Sequence, residues 1–301
     1  MAVPDPTDTG TVDFRDWQTW YRVTGRLADA DRAPVVVLHG GPGASHDYTL
    51  RMARLAEQGH PVVHYDQLGC GRSTHLPERG ADFWTVDLFL AELDNLLARL
   101  GVAERYHLVG QSWGGMLGAE HAVRRPAGLL SLVIADSPAS MDLWVSEANR
   151  LRDDLPAEVQ KVLLEHEAAG TTDEPAYREA EHVFYDRHVC RVVPNPDEVT
   201  RSFDQIDDDP TVYHTMNGPS EFHVVGTLRD WSVVDRVESI AVPTLLVSGA
   251  FDEATPATMQ PFMDAIPDVR WETFAESSHM PHVEEEELFL SVVGAFLSSH
   301  E

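Results

Sequence analysis

The chain has 301 residues, with 22 Lys and Arg against 50 Asp and Glu, a formal net charge of -28 at pH 7. Binding to phosphate backbones or anionic lipid is driven by Lys and Arg displacing counterions, so this balance argues against nucleic-acid and membrane-surface partners. A hydrophobic share of 43% with 24% charged residues is ordinary globular composition, so the acidity belongs to a folded surface and not to a disordered chain.

In chain order, residues 11–16 and 18–24 read as a hairpin. Residues 33–38 (APVVVL) are a short continuous apolar run ending at His39-Gly40-Gly41-Pro42-Gly43, as a buried strand entering a tight loop should be. A helix is expected over 48–58 and a strand over 60–65. Residues 85–100 carry a helical stripe of Val86, Leu88, Phe89, Leu90, Leu93, Leu96, Leu97 and Leu100. Strand 105–109 stops at Gly110-Gln111-Ser112-Trp113-Gly114, followed by a helix over 116–125 closed by Pro126 and a strand over 130–135. From about 140 to 235 the texture is acidic and helical, interrupted at Pro156, Pro175, Pro194, Pro196 and Pro210, which predicts an insertion. Strand 243–248, helix 256–266, strand 269–274 and helix 283–298 complete the pattern. This alternation predicts an α/β protein with a mostly parallel sheet covered by helices on both faces, a core of residues 1–139 and 236–301, and a helical cap of 140–235.

The strongest chemical signal is Gly110-x-Ser112-x-Gly114 between a strand and a helix. A nucleophile on a tight strand-to-helix turn projects its hydroxyl above the sheet, and glycines flank it where a Cβ would clash. A serine hydroxyl is a weak nucleophile at neutral pH and needs a histidine to take its proton, oriented by an acid. Asp252 follows strand 243–248 and His279 follows strand 269–274, both beyond the C-terminal ends of expected parallel strands, where catalytic groups collect. The expected catalytic set is Ser112, Asp252 and His279. Two backbone donors must hold the oxyanion: the N–H of Trp113 and one in the loop after 33–38, here Gly41. His39 is read as bracing that loop, Asp66 as ordering its own loop, and His282 as belonging to the last helix.

Neighbouring segments sharpen the reading. His39-Gly40-Gly41-Pro42-Gly43 with Ser45-His46-Asp47-Tyr48, then Tyr65-Asp66-Gln67-Leu68-Gly69-Cys70-Gly71-Arg72-Ser73, and the cap segment Met216-Asn217-Gly218-Pro219-Ser220-Glu221-Phe222 resemble the proline iminopeptidase family. The similarity is to its branch of tricorn-interacting aminopeptidases, L-amino acid amidases and prolinamide hydrolases, and it spans nearly the whole chain. It implies the α/β-hydrolase fold with an inserted helical cap, and a cofactor-free serine aminopeptidase that removes an N-terminal residue, proline preferred, from short peptides or amino acid amides. It also implies that Glu221 and Glu253 hold the free α-amino group of the substrate and that Tyr213 lies in the site. From the residues alone, both glutamates also read as solvated acids and Tyr213 as a packing aromatic.

An amidase, esterase or lactonase acting on a small acyl substrate would keep the catalytic set and make Glu221 and Glu253 incidental. A catalytically idle ligand-binding protein is the alternative from another class. Gly69-Cys70-Gly71 has no third glycine at dinucleotide spacing, and the chain shows no metal-ligand pattern, so neither a cofactor nor a metal is expected. The opening MAVPDPTDTG lacks the basic and apolar regions of a signal peptide, no run reaches the roughly 18 apolar residues of a membrane span, and Cys70 and Cys190 are too few for a disulfide scaffold. A cytoplasmic chain with reduced thiols is expected. The surplus negative charge should draw a cationic substrate inward, an effect that salt screens.

Overall fold

A computed structural model describes residues 3–28 and 31–301. Eight strands form one sheet in the order β1-β2-β4-β3-β5-β6-β7-β8. They are β1 (Asp8–Phe14), β2 (Trp17–Thr24), β3 (Val35–Leu38), β4 (Val62–Tyr65), β5 (Tyr106–Gln111), β6 (Leu129–Ala135), β7 (Thr244–Gly249) and β8 (Val269–Phe274). β1 pairs antiparallel with β2 and β2 antiparallel with β4, whereas β4, β3, β5, β6, β7 and β8 run parallel. This is the expected α/β-hydrolase architecture.

The parallel strands are buried on both faces because their side chains alternate between two apolar layers. Val36 and Leu38 of β3, Leu108 of β5, Leu132 of β6 and Leu246 of β7 join one core with α1 (Val86–Arg99), α2 (Trp113–Val123) and α8 (Pro256–Ala265). Val35, Val37, Val109, Val133 and Leu245 join the other, which is closed by the 3-10 helix His46–Gln58 and by α10 (Glu286–Ser298). Each fully buried Val or Leu contributes roughly 1.5–3 kcal/mol. One added residue in a strand register would move these side chains to the wrong layer.

Between β6 and β7 the chain leaves the sheet and forms α3 (Met141–Arg152), α4 (Ala157–Ala169), α5 (Pro175–His188), α6 (Asp197–Asp208) and α7 (Thr211–Met216), then a 3-10 turn, Val234–Ser239. Pro175 begins α5, and Pro156, Pro196 and Pro210 immediately precede α4, α6 and α7, where a missing N–H costs nothing. These helices share a third apolar cluster, including Leu151, Leu163, Phe184 and Phe222, which reaches Ala44, Tyr48, Met280 and Val283 of the sheet-bearing part.

Two element boundaries differ in an informative way from the sequence pattern. The helix after β5 starts at Trp113 and not at residue 116, directly behind Ser112. The last helix, expected as one piece, is divided into α9 (Pro281–Glu284) and α10 at Glu285. There the Glu285 carboxylate turns back to accept from the Glu276 N–H and the Ser277 hydroxyl.

Candidate active site

Ser112 sits on the turn between β5 and α2 with φ 55° and ψ -125°, a conformation open to an L-residue only when its surroundings enforce it. The flanking glycines show why. A Cβ on Gly110 would meet the Gly114 carbonyl oxygen at 2.2 Å, and one on Gly114 would meet the Leu38 carbonyl oxygen at 2.0 Å. The turn therefore packs backbone against backbone, leaving the Ser112 side chain at the N-terminal end of α2, where unpaired N–H groups favour negative charge.

Asp252 follows β7 and His279 follows β8, one and two strands beyond β6. His279 Nδ1 donates to Asp252 Oδ1 at 2.7 Å, and the same oxygen accepts the Ala254 N–H at 2.8 Å. Burial alone would lower the His279 pKa, but the adjacent Asp252 carboxylate, with Glu221 and Glu284 beyond it, outweighs burial and raises it above 6.5. The Gln111 side-chain amide donates to the His279 carbonyl at 2.8 Å, and the edge of the Trp144 indole packs on the imidazole at 5.8 Å between centroids. Ser112 and His279 line one cleft, and the Ser112 hydroxyl has no hydrogen bond among the described residues. Catalytic hydrogen bonds of this kind commonly tighten only around substrate.

Gly41 and Trp113 line the cleft beside Ser112, and neither backbone N–H is engaged by another group among the described residues. Their spacing is held by Gln67, whose importance the sequence pattern did not reveal. The Gln67 amide nitrogen donates to the His39 carbonyl at 2.9 Å, its oxygen accepts from the Trp113 indole N–H at 2.8 Å, and its backbone N–H donates to His39 Nε2 at 3.0 Å. One side chain thus bridges the Gly41 loop and the Ser112 turn. Glu92 accepts the next backbone N–H, that of Leu68, at 3.0 Å.

His39 is fully buried within this network, its Nδ1–H donating to the Gly40 carbonyl at 3.0 Å, and burial lowers its pKa to about 4. Asp66 accepts from the His46 N–H and imidazole and from the Arg72 N–H, which ties its own loop together. His282 donates from Nε2 to the Tyr48 carbonyl at 3.1 Å and is neutral, its pKa lowered to about 3 by burial. Cys70 and Cys190 are buried free thiols.

The three remaining candidates cluster around the cleft in different ways. Glu221 lines it, its carboxylate accepting from the Tyr213 hydroxyl at 2.7 Å, its carbonyl accepting from the Trp144 indole N–H at 2.6 Å, and its N–H donating to the Tyr185 hydroxyl at 3.3 Å. Tyr213 is a buried partner of that carboxylate. Glu253 is fully buried outside the cleft lining, both carboxylate oxygens lack hydrogen-bond partners among the described residues, and one lies 3.8 Å from His279 Nε2. Burial raises the Glu221 pKa, and burial together with Glu221 and Asp252 raises that of Glu253 well above the carboxylate range.

Two spaces meet at Ser112. One is walled by Met116, Pro138, Met141, Trp144 and Leu228. The other includes His279, Tyr48, Phe203 and Ile206. It shares Phe203, Ile206 and Glu221 with a wider space among α5, α6 and α7. A separate cluster of His60, His107 and Glu301 lies near the N-terminal ends of β3 and β5, where Glu301 is already paired with Arg105 and the Ala33 N–H. Among the described residues no helix is long and apolar enough to cross a membrane.

Residues 33–286 match the family model of the alpha/beta hydrolase fold. The chain is 37% identical over 291 residues to a proline iminopeptidase of Lactobacillus delbrueckii subsp. lactis, covering 96% of this chain and 97% of that protein. The chain belongs to the proline iminopeptidase family. Membership extends to solved structures: the proline iminopeptidase of Mycobacterium smegmatis superposes with a TM-score of 0.90 at 54% identity, covering 97% of this chain and 98% of that one. The crystal structure of VinJ is similar throughout, with a TM-score of 0.97 and 60% identity over 99% of this chain and 100% of that one.

Proposed function

We propose that this protein is a serine aminopeptidase that releases an N-terminal residue, proline preferred, from short peptides or amino acid amides. The carrying observation is Glu221, a half-buried carboxylate lining the same apolar cleft as Ser112. A carboxylate removed from water needs a cationic partner, and a free amino terminus supplies one. Family membership supports the same substrate class.

In this reading Ser112 Oγ attacks the carbonyl carbon of the first residue, and His279 Nε2 takes the hydroxyl proton. Asp252 holds the tautomer with Nδ1–H and offsets the imidazolium charge. The Trp113 and Gly41 N–H groups receive the oxyanion as the carbonyl π bond opens. Collapse of the tetrahedral intermediate breaks the C–N bond, and His279 gives its proton to the leaving amine. Water, deprotonated by His279, then attacks the acyl-enzyme, and Ser112 recovers its proton as the free amino acid departs.

The two spaces divide the substrate. The space lined by His279 takes the leaving amine, since His279 must protonate it, and its continuation under the cap takes the rest of the peptide. The apolar space walled by Met116, Met141, Trp144 and Leu228 takes the side chain of the first residue, which suits an apolar ring such as proline. Residues 140–235 act as the cap over both.

Turnover of prolyl p-nitroanilide by wild type and Ser112→Ala, combined with fluorophosphonate labelling, tests the reading. Wild type should turn over and label, and Ser112→Ala should do neither. A Ser112→Ala protein as active as wild type would remove Ser112 as nucleophile.

A further inference from the structure

Asp136 is a buried acid that the mechanism above does not use. It is the first residue after β6, between the strand that leads to Ser112 and the strand that leads to Asp252. Its backbone N–H donates to the Val247 carbonyl at 2.8 Å, the Ser112 N–H donates to the neighbouring Ala135 carbonyl at 2.9 Å, and its φ of 51° lies in the left-handed region. This backbone sets the Asp136 side chain beside Gly249, whose N–H donates to Asp136 Oδ1 at 3.3 Å and whose carbonyl accepts the Asp252 N–H at 3.4 Å, which brings the two carboxylates near enough for the Asp252 charge to raise the Asp136 pKa.

The oxygens around this contact leave one atom short. Asp252 Oδ1 accepts both the His279 Nδ1–H and the Ala254 N–H, but its Oδ2 is buried with no donor among the described residues. Asp136 Oδ1 accepts only the Gly249 N–H, at 3.3 Å, and its Oδ2 is likewise buried without a donor. Two carboxylates cannot hydrogen bond to one another, and two adjacent negative charges in a dry site repel. A single proton between them removes both problems.

We infer that Asp136 carries that proton and donates it to Asp252 Oδ2, which makes Asp136 a positioning residue for the Asp252–His279 pair; the inference rests on the catalytic assignment above. The proton belongs to Asp136 because Asp252, with two N–H donors on Oδ1, is the better-stabilised anion. Burial, followed by the charges of Asp252 and Glu284, pushes the Asp136 pKa well above the carboxylate range. The proton stays on Asp136 through the cycle, while the proton from Ser112 travels through His279 to the leaving amine. Asp136 thereby fixes the rotation of the Asp252 carboxylate and keeps the pair at one negative charge.

Two variants separate this role from simple packing. Asp136→Asn retains a donor toward Asp252 Oδ2 and suits a left-handed backbone, whereas Asp136→Gly suits the backbone and removes the donor. The expected result is that Asp136→Asn keeps kcat within about threefold of wild type, while Asp136→Gly loses about tenfold or more in kcat with KM within about threefold. Infrared difference spectra of wild type against Asp136→Asn at neutral pH report the proton directly and independently of turnover. A protonated-carboxyl C=O band should be present in wild type and missing in the variant. An absent band, a fully active Asp136→Gly, or an Asp136→Asn as impaired as Asp136→Gly would overturn the inference, and the infrared result stands whether or not the aminopeptidase reading does.

Discussion

His279 Nε2 lies 3.8 Å from the carboxylate of Glu253, a fully buried group with neither oxygen in a hydrogen bond. Burial and the neighbouring Glu221 and Asp252 raise the Glu253 pKa well above the carboxylate range, which favours its neutral acid form. Gln is a close copy of that neutral form. Glu253→Gln should therefore leave the melting temperature unchanged or raised, while kcat/KM for a substrate with a free amino group falls by about 10²-fold, because an entering ammonium offsets the neighbouring acids and lets Glu253 ionise beside it, which Gln cannot do. A thermal melt and a kinetic assay on one preparation check both halves; unchanged kcat/KM would leave Glu253 without a role in binding.

Asp252 orients His279 through a single 2.7 Å hydrogen bond, so its amide should present the wrong tautomer of the base. Asp252→Asn is expected to lower kcat about 10³- to 10⁴-fold with an intact fold. Steady-state kinetics with circular dichroism measures this, and a loss under tenfold would contradict the assigned role.

Gln67 joins the loops that carry Gly41 and Trp113, the proposed oxyanion donors. Gln67→Leu removes both bridging bonds and should lower kcat by about 10- to 100-fold while KM changes little, because the donors are used chiefly in the transition state. A rise in KM at constant kcat would instead place Gln67 in ground-state binding.

The pH dependence follows from two raised pKa values. In the proposed mechanism His279 must be neutral to accept the Ser112 proton, and its pKa lies above 6.5 because Asp252 and the other nearby acids outweigh burial. Glu221 must be ionised to hold an ammonium, and burial raises its pKa as well. Protonation of either group abolishes its role, so kcat/KM should rise with pH through a midpoint above 6.5. A midpoint below about 6 in a kcat/KM profile would show that the His279 pKa is not raised as described.

Much of the fold is legible in the sequence because it depends on local pattern. Alternation of Val35 and Val37 against Val36 and Leu38 marks a strand buried on both faces, and Gly110 and Gly114 around Ser112 mark a turn where backbones nearly touch. Other features depend on contacts between distant segments, which no periodicity records. Gln67 meets Trp113 across 46 residues and Gln111 meets His279 across 168. The break at Glu285 arises because its carboxylate is drawn to residues 276 and 277. Asp136 reads in sequence as one of 50 acids, and only the pairing of β6 with β7 brings it to Asp252.

The comparison of prolyl p-nitroanilide with its N-acetyl form bears most directly on the central claim, that the Glu221 carboxylate in the cleft selects a free amino terminus. Acetylation removes the cation and leaves the scissile bond and the leaving group in place. The account predicts that kcat/KM falls by about 10³-fold or more on acetylation, and that most of this difference disappears in Glu221→Gln. Equal kcat/KM for the free and acetylated substrates would contradict it.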